Sequence, residues 1–127
     1  MVLNPQFFNE ELANTDLEVA TYPIVNLGNN TYFQGQMVEG KRSGPGAQVW
    51  EDGTYFRGYF IEDAAIGEGR LIHANGDLYQ GNFEGSKANG HGRFIRFEGG
   101  SYEGEFMDDV AHGKGILMMP NGSIYQG

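Results

Sequence analysis

The side chains able to do chemistry in this 127-residue chain are three histidines, His73, His91 and His112, and the paired acids Glu10-Glu11, Glu62-Asp63 and Asp108-Asp109. Histidines grouped with carboxylates would hold a metal or move protons, and a histidine beside a nucleophile would support acyl transfer. The chain has no cysteine, so a thiolate ligand, a thiol nucleophile and a disulfide are all excluded. The three histidines fall at different phases of the internal repeat described below and form no common row, so each is expected to be a surface or loop residue. Gly113-Lys114-Gly115 resembles the end of a phosphate loop, but Asp108 stands where that motif needs its first glycine and Gly115 where it needs Ser or Thr. Asn29-Asn30-Thr31 and Asn121-Gly122-Ser123 fit the glycosylation pattern yet read as turns. The acid pairs read as solvated charges able to meet a basic partner. No catalytic residue, cofactor or metal is therefore expected, and the chain is expected not to be an enzyme.

The remaining information lies in how the chain is patterned. Its formal charge is −9, which argues against nucleic acid or an anionic membrane as the main partner. The first basic residue is Lys41, no run is long and apolar enough to span a bilayer, and a cytoplasmic setting is expected. Glycine supplies 21 residues while aromatics still make up 13%, a share that a disordered chain would not keep. An aromatic recurs every 23 residues at Phe33, Phe56, Tyr79, Tyr102 and Tyr125, followed two places later by Gly35, Gly58, Gly81, Gly104 and Gly127. Two further along stand Met37, Phe60, Phe83 and Phe106, then a Gly-x-Gly, then a turn dipeptide such as Asp52-Gly53 or Asn75-Gly76. Low-complexity sequence does not hold such a phase.

Aromatic-x-Gly-x-aromatic puts both large side chains on one face of a strand, and the missing side chain between them leaves room for a ring to lie over the backbone. A second strand follows each Gly-x-Gly, as in Arg70-Leu71-Ile72-His73, and the Asp-Gly or Asn-Gly turn leads into the next unit. The expected fold is all-β, a single-layer antiparallel meander of ten short strands about 45 Å long at ~4.8 Å per strand. Which second-strand residues join the aromatic face depends on the turn. A two-residue turn places Val49, Ile72, Ile95 and Met118 there, and a three-residue turn places Leu71, Phe94 and Leu117 there.

Segments such as Asp52-Gly53-Thr54-Tyr55-Phe56-Arg57-Gly58-Tyr59-Phe60 resemble MORN repeats, whose pattern is roughly D-G-x-x-Y-x-G-x-W/F, a loop, then G-x-G. The resemblance covers residues 24–127, about four repeats, and leaves 1–23 as an N-terminal cap or partner-binding tail. Met37, Phe33, Phe56 and Glu98-Gly99 depart from the pattern in residue type without changing its spacing. The resemblance implies a non-enzymatic interaction scaffold or structural subunit, with cytoskeletal or ciliary (axonemal) assemblies as one setting. The alternative it implies is a regulatory module of a lipid kinase or methyltransferase in the same or another chain. Some similar proteins were proposed to bind acidic lipids through basic loops before the Gly-x-Gly. Lys41-Arg42 is the one basic pair at that place here, so membrane lipid is not expected as a partner.

A sheet apolar on one face needs a cover. Phe33, Met37, Phe56, Phe60, Tyr79, Phe83, Tyr102 and Phe106 are the expected partner-binding groove, and a helix or basic peptide the expected occupant. The other reading is that the rings stack on one another and on the glycines, holding the repeats together; both hold if one ring edge packs and the other faces a ligand. Leu3, Phe7, Phe8 and Leu12 share one side of a short helix expected after Asn4-Pro5, able to cover one end of the sheet. Tyr125-Gln126-Gly127 opens a further repeat, which predicts an edge strand completed by more chain or by another subunit, including another copy.

Overall fold

The computed structural model describes residues 19 and 21–127. The helix expected after Asn4-Pro5 lies outside the described residues. Ten strands follow in chain order: β1 (Ile24–Gly28), β2 (Thr31–Val38), β3 (Lys41–Val49), β4 (Tyr55–Ile61), β5 (Ala64–Ile72), β6 (Leu78–Glu84), β7 (Lys87–Ile95), β8 (Ser101–Met107), β9 (Val110–Met118) and β10 (Ile124–Gln126). They form one sheet in which spatial order equals sequence order and every neighbour is antiparallel. The meander expected from the 23-residue period is the observed fold.

From β2 onward two kinds of turn alternate, and the tighter kind is not where the Asp-Gly dipeptides stand. At Asp52-Gly53 the loop has three residues: Trp50 N–H donates to Thr54 O (2.9 Å), Gly53 N–H donates to Trp50 O (3.0 Å), and Gly53 has φ +93°. The two-residue turns, with both residues at positive φ, are Asn29-Asn30, Glu39-Gly40, Glu62-Asp63, Gly85-Ser86 and Asp108-Asp109. Two of the acid pairs are thus hairpin turns, a conformation that Asp tolerates better than most side chains. The three-residue loops decide the open question of faces. Across them Tyr79 pairs with Leu71, Tyr102 with Phe94 and Tyr125 with Leu117, so Leu71, Phe94 and Leu117 share the ring face.

The Gly-x-Gly lies inside the second strand rather than ahead of it, because each hairpin carries a bulge there. Arg57 pairs with Arg70 and Tyr59 with Ile66, so β5 spends two residues more than β4 over that stretch. Adding two residues, not one, preserves the alternation of faces along the strand. Gly67, the first glycine of its motif, sits in the bulge at φ +66°.

Candidate functional site

The aromatic side chains of the ring face form one unbroken chain of edge-to-face contacts. It runs Phe33, Phe60, Phe56, Phe83, Tyr79, Phe106, Tyr102, with centroids 5.5, 5.4, 5.1, 5.2, 5.0 and 5.3 Å apart. Edge-to-face geometry sets the positive ring edge against the negative ring face, about 0.5–1.5 kcal/mol per pair beyond burial. The rings of Phe33, Phe56, Tyr79 and Tyr102 also lie on glycine: Tyr79 covers Gly92 of the next strand, where a Cβ would strike its ring and hydroxyl. Six of the eight residues expected to form the groove, Phe33, Phe56, Phe60, Tyr79, Phe83 and Phe106, are no more than 9% exposed. Met37 and Tyr102 are half-buried against them. The ladder is the core of the protein and the floor of the groove.

The surface above that floor belongs to other residues. Two adjoining hollows, about 260 and 310 Å³, open along the ring face and share Leu71, His73, Phe83 and Ser86. The first reaches Trp50 and Arg42, the second Phe94 and Asp109. Ala65 and Ala88, one repeat apart, supply the low points between rings. Trp50 and Ser86 carry no signal in the sequence, and His73 reads there only as a surface or loop histidine, although the alanines at 65, 88 and 111 carry the 23-residue signal of a position that must stay small.

The hairpin turns make one wall and are strapped to the preceding repeat. Asp63 Oδ1 accepts from Arg42 N–H (2.9 Å), Ser86 Oγ from Ala65 N–H (3.0 Å) and Asp109 Oδ1 from Ala88 N–H (2.7 Å). Arg42 itself turns inward. Its Nε meets Asp63 Oδ1 at 2.8 Å, its Nη1 donates to Gln48 Oε1 at 2.7 Å, and its guanidinium lies 4.8 Å from the Phe60 ring centre. The Arg42 side chain and amide hold the Asp63 carboxyl below its ordinary pKa. The only basic pair that stood where a lipid-binding loop was considered therefore begins β3, with its arginine engaged in the groove wall.

The histidines are dispersed. His73 is on the ring face, its ring 6.1 Å from that of Phe94, whereas His91 is on the opposite face, 3.6 Å from Glu103. Among the described residues, no three His, Asp or Glu side chains are grouped to hold a metal ion. Tyr79 Oη donates to Asn82 O (2.9 Å), and burial, then the nearby Asp109 charge, pushes its pKa up to about 12. A folded-state value above the unfolded one stabilises the fold below about pH 10 and is lost as pH rises from 10 towards 12. The urea midpoint is expected to fall over that interval and to fall less steeply in Tyr79→Phe. Equal slopes for the two proteins would show that the hydroxyl is not held neutral by the fold.

The MORN repeat matches residues 33–55, 79–101 and 102–124. Between the first two segments, β4 and β5 carry the same pairing and the same bulge. No curated protein gives a significant sequence match.

Proposed function

The chain belongs to the MORN-repeat family, whose repeats are generally protein- or membrane-interaction modules, and on that premise we propose a non-enzymatic scaffold that receives a protein partner on its ring face. The observation that carries the reading is the pair of adjoining hollows, floored by buried rings and bordered by half-buried Leu71 and Phe94. They repeat at two strand spacings, about 9.6 Å. A helix presents side chains ~10.5 Å apart at i and i+7, and a polyproline II peptide ~9.3 Å apart at i and i+3, so either matches the step. Asp109 lines the second hollow, the turns Glu62-Asp63 and Asp108-Asp109 stand along that edge of the sheet, and Asp52, Asp77 and Glu98 stand at or beside the turns of the other, which suits a basic partner. Arg42 is committed to Asp63 and Gln48, and this favours protein over lipid. The family resemblance supports a cytoplasmic setting in a cytoskeletal or ciliary assembly.

The test substitutes the walls and spares the floor. Leu71→Ser with Phe94→Ser should remove partners that the unaltered chain retains from native extract, while Ile116→Ser, at an exposed site on the other face, retains them. Capture by the wall variant equal to that of the unaltered chain would overturn the assignment. Selective loss of an enzyme whose activity changes on binding would replace the scaffold with a regulatory module.

A further inference from the structure

The face opposite the rings is not evenly exposed, although the repeat makes its in-sheet surroundings nearly the same from unit to unit. Arg70 is 1% exposed and Leu78 6%, whereas the residues one repeat on from Arg70, Arg93 and then Ile116, are exposed. Ile124, two repeats beyond Leu78, is 61% exposed. Strand neighbours alone do not hide a guanidinium on the bare side of a single layer, so the difference arises from something lying across β4 to β6. Val19 is 1% exposed, and Tyr22 O accepts from Gln34 Nε2 (2.9 Å). Gln34 pairs with Ala47, and Ala47 with Arg57, so the chain before β1 enters on this face, three strands from Arg70.

Charge points to the same occupant. Arg57 and Arg70 are direct cross-strand partners, and burial followed by their mutual repulsion lowers the Arg57 pKa to about 10. Residues 1–18 hold Glu10, Glu11, Asp16 and Glu18 with no lysine or arginine, and Leu3, Phe7, Phe8, Leu12 and Leu17 besides. The apolar row Tyr55, Ile72, Leu78, Ile95 runs beside the arginines. Three strand spacings are about 14 Å, a distance that a segment of eighteen residues reaches in any conformation, extended chain covering up to ~3.3 Å per residue. We propose that residues 1–18 of this same chain dock across β4 to β6 on the face opposite the rings, setting their carboxylates against Arg57 and Arg70 and their apolar side chains against Tyr55, Ile72 and Leu78. The tail is then an intramolecular cap of the back face, and the ring groove stays open for a partner.

The absence of cysteine allows a clean cross-linking test in the full chain. Leu12→Cys is combined with Gln80→Cys on the back face or with His73→Cys at the groove, and mild oxidation is followed by peptide mass mapping. The back-face pair should bridge within one chain at least tenfold faster, and replacing the four tail acids with lysine should slow it at least fivefold. Equal or faster bridging to His73→Cys would overturn the proposal, as would bridging only between chains. Failure of both pairs while all thiols react with a maleimide would also overturn it, as would indifference to the tail charges.

Discussion

Gly81→Ala should destabilise the protein by on the order of 3 kcal/mol, the upper range of overpacking effects, and lower its melting temperature by roughly 10 °C or more. The added Cβ would lie 2.6 Å from His91 O and closer still to Gly92 Cα, both backbone of the paired strand β7, and 2.8 Å from the Tyr79 hydroxyl. Backbone in a ladder flanked on both sides has nowhere to move, so β6 and β7 must part or the rings must leave their contacts. Gly40→Ala is the control. It has φ +81° and nothing within 4 Å of a Cβ, so only the left-handed conformation is penalised, about 1–2 kcal/mol. Urea denaturation followed by circular dichroism compares the two, and a smaller loss for Gly81→Ala would remove glycine contact as the reason for the repeat.

Phe83→Ala is expected to cost about 4 kcal/mol, as for other buried phenylalanines, and to blunt the near-ultraviolet signal of the neighbouring rings. Phe83 is 6% exposed and bridges two repeats, edge to face with Phe56 at 5.1 Å and with Tyr79 at 5.2 Å. Removing it opens a cavity in a layer only one sheet thick, with no second sheet to collapse into the space. Domains of this size are stable by ~5–15 kcal/mol, so the loss is a large share of the total. Leu71→Ala, at the groove wall, should cost roughly half as much or less, because its side chain is only partly buried. A Phe83→Ala protein with an unchanged urea midpoint would mean that the ladder is not the core. For the same reason a Phe83→Ala, Tyr102→Ala pair mixes loss of fold with loss of binding, whereas Leu71 and Phe94 report on binding.

The period, the class of fold, the number of strands and the face that carries the rings are all legible in the amino-acid sequence. Each rests on short-range regularity: alternation along a strand, turn dipeptides, and glycine two residues from every ring. It left open which second-strand residues join the rings, because that depends on turn geometry, and it read Glu62-Asp63 and Asp108-Asp109 as loop charges where they form the tight turns. That the expected groove residues are mostly floor, and that Leu71, Phe94, Trp50 and His73 are reachable, follows from three-dimensional packing, since accessibility depends on how rings from successive repeats cover one another. The contrast between Arg70 and Arg93 has the same origin. Two equivalent positions in a repeat share their sequence neighbours, and what separates them is whatever lies across the sheet, which no local pattern encodes.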